Sequence, residues 1–357
     1  MNKLCSTTGI SNFTEGECSS HNAIDEVSIK GVSGVSTSLT FCDVLGAWKV
    51  RLGINRMSYT VEPGLYSVGK PETDSPVLVS ANYKLTFDIL RNNLVGLDCY
   101  LLILDTKGVN VWCAAGEGTF STDELVNRIQ SVGLSEVINH RHIILPQLCA
   151  SGVNANEVMR RTGYSVTFGP VRAKDIKAFI SSGNEATKEM RLVEFGFRDR
   201  LILTPLELIP ALRIFLPVVG TVLITNTFAK RTFNRHDLAA LTGAVITGSV
   251  VTPLLLPYIP GRSFAWKGWI LGVISTAGIL IKAKRFKPGN RVMSAGQLLL
   301  LPIISSYLAM NFTGASTYTS PSGVKKEMKK ALPFIIGAGA VGAAITLGAH
   351  FFRKEKK

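Results

Sequence analysis

The sequence lacks the residue patterns that mark common metal clusters and nucleotide sites. Its six cysteines, at positions 5, 18, 42, 99, 113 and 149, include no CxxC pair, so neither a zinc ribbon nor an iron–sulfur cluster is supported. No GxGxxG motif opens a helix after the first predicted strand, and no Walker A motif is present, so nucleotide binding has no direct support. The N-terminus lacks the apolar core of a secretory signal. We therefore expect a first domain in the reducing cytoplasm, with free thiols.

Acidic residues are scarce in the second part of the chain. Residues 1–205 contain 20 Lys and Arg against 21 Asp and Glu, whereas residues 206–357 contain 19 against only 4. The formal net charge of +14 therefore belongs to the second part, where basic residues flank long apolar runs. The first part is nearly neutral and gives no hint of a basic face. This balance argues against nucleic-acid binding.

Five long apolar runs follow one another in the second part. They cover residues 206–229, 238–259, 264–281, 293–312 and 332–352. Each is close to the ~20 residues that cross a ~30 Å hydrocarbon core. Small residues four apart, such as Gly243 with Thr247 and Ala338 with Gly342, predict close helix packing. We predict an all-α transmembrane bundle over residues 206–357, which serves in anchoring or partner docking because few charges lie inside it.

The first part alternates between strand and helix patterns. Residues 1–36 are rich in Ser, Thr, Gly and Asn and predict a mobile arm. Residues 37–57 predict a short amphipathic helix that leads into a domain ending near residue 205. Strands are predicted at 76–80, 101–104, 141–145 and 165–168, and helices at 85–94, 122–132, 154–162 and 176–181. This rhythm predicts an α/β domain with a parallel sheet covered by helices.

Cys113 follows the second of these strands. Glycines lie close behind it, and Ser121-Thr-Asp-Glu124 forms a capping box that opens the next helix. The loops after the four strands meet at one sheet edge, where open α/β sheets bind their ligands. Their small residues suit a large planar ligand, and a non-catalytic contact surface is the alternative. From the local pattern, Cys113 itself is either a buried loop cysteine or a ligand-binding thiol.

Three further residues have two interpretations each. His140 and His142 alternate beside a strand, which suits either a metal site or, more commonly, a half-buried strand end. Cys149 lies on a converging loop and either lines the pocket or packs as a small apolar side chain.

Six stretches carry a resemblance to a known family. They are residues 59–66, 76–84, 104–116, 145–148, 169–172 and 200–205. Together they resemble the corrinoid-binding domain shared by the large subunit of the corrinoid iron–sulfur protein of acetyl-CoA synthesis and by the mercury-methylation corrinoid proteins, the HgcA family. The acetyl-CoA branch carries a four-cysteine motif and a barrel domain, and neither is visible here. The HgcA branch instead adds a membrane bundle, as this chain does.

The resemblance implies a Rossmann-like corrinoid-binding fold and assigns a role to Cys113. Its thiolate would be the lower axial ligand of a cobalamin-type cobalt, on a cap helix under the corrin ring. The cap and the converging loops would contact the corrinoid through Asn110, Val111, Trp112, Cys113, Ala114, Ala115, Gly116, Glu117, Asn82, Gln147 and Gly169. A thiolate is a strong, soft donor, which helps an upper-face methyl group leave toward electrophilic Hg(II). Glu117 stands where the family motif has Lys, which puts the activity in question.

The resemblance also implies a function and a setting. We expect a membrane-anchored corrinoid-dependent methyltransferase that transfers a methyl group to Hg(II), giving methylmercury. Its methyl donor would come from the methyltetrahydrofolate pathway, and a ferredoxin-like iron–sulfur protein of the HgcB type would be its partner. Expected partners further include membrane lipid but no nucleic acid. The expected location is the inner (cytoplasmic) membrane, multi-pass, with the corrinoid domain facing the cytoplasm, although the positive-inside count opposes this orientation. The alternatives are a corrinoid methyl carrier with a different acceptor and a non-catalytic, ligand-sensing membrane protein.

Overall fold

The computed structural model describes residues 24–29, 32–228, 235–287, 290–319 and 321–355. The chain divides into two compact units. The first comprises Ile54–Leu192 and the described residues up to Val50. The second comprises Val193–Lys357 together with Arg51–Gly53. The predicted boundary at 205/206 thus falls inside the second unit.

The first unit is built on a sheet that has seven strands among the described residues. The strands are β1 (Ile24–Ile29), β2 (Val32–Val35), β3 (Gly64–Val68), β4 (Val77–Ala81), β5 (Cys99–Leu104), β6 (His142–Leu145) and β7 (Ser165–Phe168). Their order across the sheet is β1-β2-β3-β5-β4-β6-β7. The last four in this order run parallel, as the sequence predicts, and the register of β4 against β5 pairs Ala81 with Leu104. The loops after these strands therefore leave from one edge.

Helices cover both faces of this sheet. They are α1 (Phe41–Arg51), α2 (Lys84–Asn93), α3 (Val111–Glu117), α4 (Thr122–Ser131), α5 (Leu134–Val137), α6 (Ala155–Thr162) and α7 (Ile176–Ser181). Alternate residues of a strand point to opposite faces. Leu102 accordingly packs with α3, α4 and α6, whereas Leu101 packs with α2 and α7. Burial on both faces explains why the central strands read as continuous apolar runs.

Three strands fall outside the predicted pattern. Residues 24–29 and 32–35 lie in the stretch predicted as a mobile arm, but they form β1 and β2; residues 1–23 and 30–31 of that arm lie outside the described residues. β3 is antiparallel to β5, so the sheet is mixed rather than wholly parallel. β2 and β3 are short and contain both Gly and Ser, so they carry little apolar periodicity. Ser33 of β2 pairs with Tyr66 of β3, far along the chain, and β1 pairs with β2. The expectation of free thiols holds for Cys99, Cys113 and Cys149 but is wrong for Cys42, which is disulfide-bonded.

The second unit is helical. Its main helices are α8 (Phe197–Phe228), α9 (Arg235–Ile246), α10 (Thr252–Leu255), α11 (Phe264–Lys282), α12 (Arg291–Asn311) and α13 (Pro321–Glu355), with a π-helical turn at Thr247–Val251 before α10. Among the described residues, five segments are long and apolar enough to cross a membrane: Phe197–Thr221, Arg235–Leu255, Phe264–Lys282, Arg291–Ala315 and Ser322–Ala349. These agree with the five predicted runs.

The bundle packs closely through its glycines. A Cβ at Gly248, Gly268 or Gly272 would lie within 3.0 Å of an atom of Ser305. A Cβ at Gly342 would lie 2.8 Å from the backbone nitrogen of Leu300 on α12. Backbones that approach so closely gain van der Waals contact, which stabilises helix pairs in lipid.

Candidate functional site

Helix α3 carries Cys113 and lies at the carboxyl edge of the parallel strands, between β5 and α4. Asn110 caps its start, because the Asn110 side-chain oxygen accepts a hydrogen bond from the Cys113 backbone N–H at 2.9 Å. Gly118 ends it in a left-handed conformation, with φ of 85°. The residue pattern alone suggested a loop here, whereas the resemblance implied a helix. Both ends of this short helix are thus defined by the sequence.

The two faces of α3 have different surroundings. Val111, Ala114 and Ala115 are buried in the core of the first unit. On the other face Trp112 is 38% exposed. Cys113, Gly116 and Glu117 are exposed beside it. The helix therefore presents its thiol outward, while its small apolar side packs against the core of the domain.

Two close contacts fix α3 on the domain. A Cβ at Gly152, on the loop after β6, would lie 3.0 Å from Cα of Ala115, so only glycine lets that loop approach the helix so closely. Before the helix, Gly108 has φ of 73°, and a Cβ there would lie 3.0 Å from the carbonyl oxygen of Met57. The segment around Met57 was not expected to take part in the site. The contact depends on the positive φ of Gly108, and a single backbone angle leaves no periodic pattern in the sequence that would have predicted it.

Asn82 shapes the turn that leads into α3. Its side-chain oxygen accepts hydrogen bonds from the backbone N–H groups of Thr106 and Gly108, each at 3.1 Å, and from the Thr106 hydroxyl at 2.9 Å. Its amide nitrogen donates to Asp105 at 3.3 Å. The residue is buried, and its polar atoms are used within the protein. Asn82 thus positions the cap helix rather than facing the open edge.

Two opposite charges act on the pKa of the Cys113 thiol. Partial burial raises its pKa, the Asn110 side chain opposes this rise, the negative charge of Glu117 adds to it, and the positive charge of Arg56 opposes it. The thiol is therefore protonated at neutral pH and would release its proton on binding a soft metal. Arg56 belongs to the same unexpected segment as Met57.

A cavity of about 320 Å³ opens at the amino-terminal end of α3. Asn110, Val111 and Trp112 line one side, and Gly169 lies on another. Further lining residues come from β4 and β6, from the loops after the strands, and from α2 and α7. They are mainly apolar: Leu78, Val79, Ser80, Thr86, Ile89, Leu90, Ile144, Leu145, Pro146, Leu148, Pro170, Val171, Ala173 and Ile176. The sequence did not single out the α2 and α7 members, because their apolar spacing matches an ordinary core face.

The remaining candidate residues make contacts within the protein. Cys149 is fully buried, which raises the pKa of its thiol to about 12, so it packs in the core. His140 contacts the Ser75 carbonyl at 2.9 Å, and His142 contacts the Thr167 hydroxyl at 2.8 Å. No cluster of three metal-ligating side chains occurs within the described ranges. Gln147 accepts a hydrogen bond from Arg191 at 3.2 Å, on the exposed surface.

Gly116 leaves the surface of α3 bare beside the thiol. A Cβ at this position would meet no atom within 4 Å, and the φ angle of Gly116 is not positive. Neither packing nor backbone conformation therefore requires glycine here. Glycine inside a helix costs about 0.5–1 kcal/mol relative to alanine. A flat group pressed against the helix beside the thiol would require this bare surface. Thiolate sulfur is also a suitable donor for a soft metal at the centre of such a group.

The fold and the site therefore define an α/β domain with an exposed thiol on a short helix at the carboxyl edge of its parallel strands. Residues 51–180 match the family model described as CO dehydrogenase/acetyl-CoA synthase delta subunit. The matched segment ends before the first candidate membrane span, which begins at Phe197.

Curated relatives are similar over the same domain. The acetyl-CoA decarbonylase/synthase complex subunit gamma of Methanocaldococcus jannaschii is 32% identical over 130 residues, which cover 35% of this chain and 26% of the relative. The subunit of the same name from Archaeoglobus fulgidus is 32% identical over 127 residues, which cover 35% and 27%. The chain thus spans about a quarter of the length of the curated relatives it matches.

Proposed function

We propose that the first unit binds a corrinoid through the outward face of α3, with the Cys113 thiolate as the lower ligand of cobalt. The observation that carries this proposal is the exposed thiol beside the bare backbone of Gly116. The similarity to subunits of acetyl-CoA decarbonylase/synthase supports it. When bound, a corrinoid supplies a cobalt centre that accepts and gives up a methyl group.

The chain's own residues would orient this ligand. Val111, Ala114 and Ala115 hold the helix against the core, and the Asn110 cap fixes its first turn. Trp112 borders both the outward face and the cavity, so it suits contact with a flat ring and its substituents. The cavity beside Asn110 has a mainly apolar lining and would accept an apolar substituent of the ligand.

The proposed reaction is methyl transfer to Hg(II), giving methylmercury, by a membrane-anchored protein of the HgcA type. The five candidate spans after the corrinoid domain support this branch over one that carries its own cluster motif. The domain would face the cytoplasm from the inner membrane. A ferredoxin-like iron–sulfur partner of the HgcB type would return the cofactor to its reduced state, and the methyltetrahydrofolate pathway would supply the methyl group.

Glu117 favours a second candidate, a methyl carrier of the same build with another acceptor. Glu117 is exposed one helical turn after Cys113, and its negative charge raises the thiol pKa. A lysine there would instead favour the thiolate. If the anion marks a different reaction, Glu117→Lys should increase methylmercury formation by the protein with its partner. Equal rates for the two proteins would leave the charge without a role in choosing the acceptor.

Cofactor binding is tested by the visible spectrum of the purified full-length protein. We expect a corrinoid spectrum whose lower-ligand signature is lost in Cys113→Ala, together with methylmercury formation. Cys149→Ala is the matched control, because this thiol is buried and should leave the signature unchanged. A Cys113→Ala protein with the wild-type spectrum and the wild-type methylation rate would refute the proposal.

A further inference from the structure

Helix α1 has a buried face and an exposed apolar face. The buried face includes Asp43 and Val50, and Gly46 sits directly against the Tyr59 ring. The exposed face carries Phe41, Val44, Leu45 and Trp48, which we call the α1 stripe; Phe41 is 79% and Trp48 57% exposed. Their spacing of i, i+3, i+4 and i+7 is that of a helix face that packs against an apolar surface. Within the described structure this face is open.

A buried charge network holds α1 in one orientation. Asp43 accepts hydrogen bonds from Lys84 at 2.5 Å and from Arg91 at 2.7 Å. Asp88 pairs with the same two cations at 2.8 and 2.9 Å. Arg91 also donates to the carbonyl of Ser38 at 2.8 Å, just before the helix. Because these groups are buried, α1 cannot roll its apolar stripe inward without breaking the network.

The charges around the α1 stripe have one sign. Between residues 37 and 61 the only acidic residue is Asp43, which is buried and paired. The basic residues of this stretch, Lys49, Arg51 and Arg56, are all at least partly exposed. An apolar stripe with a tryptophan, bordered by cations, is typical of helices that lie in a membrane interface and attract anionic lipids.

The connection between the first unit and the first candidate span is short. The first unit ends at Leu192, and the first candidate span begins at Phe197. At no more than about 3.6 Å per residue, so short a connection keeps the first unit's end within about 20 Å of the span. A domain attached to a membrane-spanning segment meets lipid at a high local concentration, so lipid is the apolar surface that we expect the stripe to contact.

We propose that α1 is an interfacial helix, whose stripe of Phe41, Val44, Leu45 and Trp48 inserts into the headgroup region of an anionic bilayer. The inference rests on the proposed membrane anchoring and goes beyond it. Lipid contact would give the first unit a second attachment besides the connection to α8. That attachment would restrict the directions in which the cofactor domain can turn.

The test uses the four tryptophans of the full-length protein, at positions 48, 112, 266 and 269. The protein is reconstituted into phosphatidylcholine vesicles containing phosphatidylglycerol, with or without lipids brominated on the acyl chains. Subtracting the fluorescence of Trp48→Phe from that of the wild type isolates Trp48. Interfacial helices lie about 5–10 Å into the headgroup and acyl boundary, so bromines high on the chain should remove most of the Trp48 signal and deep bromines much less.

Trp112→Phe is the matched control. Trp112 is also exposed on the first unit but faces the cofactor edge, so its difference signal should not be quenched by lipid. Trp266 and Trp269 of α11 report on anchoring in the same samples. If their emission is quenched and that of Trp48 is not, the α1 proposal is overturned, and the N-terminal residues, a second copy or a protein partner covers the stripe. If neither is quenched, the anchoring itself fails.

Discussion

Gly116→Ala should separate the stability of α3 from its capacity to bind a flat ligand. The new Cβ would meet no protein atom within 4 Å, so it adds no clash. Replacing a helical glycine with alanine stabilises a helix by about 0.5–1 kcal/mol. We therefore expect an unchanged or slightly raised unfolding temperature.

Ligand binding should change in the opposite direction. The added methyl carbon projects about 1.5 Å from the backbone, into the layer that the ring would occupy. A gap of about 0.5–1 Å already forfeits a quarter to a half of the dispersion energy between facing atoms, and displacement also lengthens the bond from Cys113 to the metal. We expect affinity to fall at least about tenfold, which corresponds to about 1.4 kcal/mol.

The assay is absorbance titration of the apoprotein with a corrinoid, paired with thermal unfolding of the same samples. Gly337→Ala on α13 is the matched control, because its Cβ would also meet no atom within 4 Å. It should give a similar helix effect and leave corrinoid affinity unchanged. Wild-type affinity in Gly116→Ala would refute the assignment of this face as the ring-binding surface.

Other parts of the fold give two further predictions. Asp43→Asn removes one of the two carboxylates that Lys84 and Arg91 share, which leaves an uncompensated buried positive charge, and should destabilise the first unit by about 3–5 kcal/mol in urea unfolding. Burial raises the pKa of Asp43, but hydrogen bonds from Lys84 and Thr40 hold it well below its usual range, so the stability it confers is present at neutral pH. That stability should be lost as the pH falls below about 4, and a difference between wild type and Asp43→Asn that persists in acid would contradict this linkage. In the bundle, Gly272→Leu should disrupt packing, because a Cβ there would lie 2.8 Å from Cα of Pro302. Gly278→Leu is the control, because its Cβ would meet no atom within 4 Å. Equal thermal stability of the two variants in detergent would argue against the close contact at Gly272.

The central fold was readable from the sequence because its signals are local. The apolar run before Asp105 and the capping box at Ser121 correctly predict β5 and the start of α4. The strands β1, β2 and β3 carry no such signal. β2 and β3 pair with residues far along the chain, and β1 pairs with the neighbouring β2. Their mixed directions could not be inferred from a rhythm of strand and helix alone.

The candidate site was predictable in part. Cys113 was located by its position after a strand, but local pattern left open whether it was buried, and only the structure shows its exposure. Asn82 was expected near the ligand, yet it bonds the turn before the cap helix. The contributions of Met57, Arg56 and the α2 residues depend on folding in three dimensions. That the identified residues bind a corrinoid stays a prediction.

The buried charges beside α1 have a consequence for how this sequence can vary. Two buried carboxylates balance two buried cations inside the domain: Asp43 and Asp88 with Lys84 and Arg91. Losing any one of the four would leave a buried charge without its counter-charge. Neutral drift at one of these positions is therefore blocked until a second position changes with it. Among homologous sequences the four should be retained or exchanged together, and the positions of the α1 stripe should vary independently of them while staying apolar.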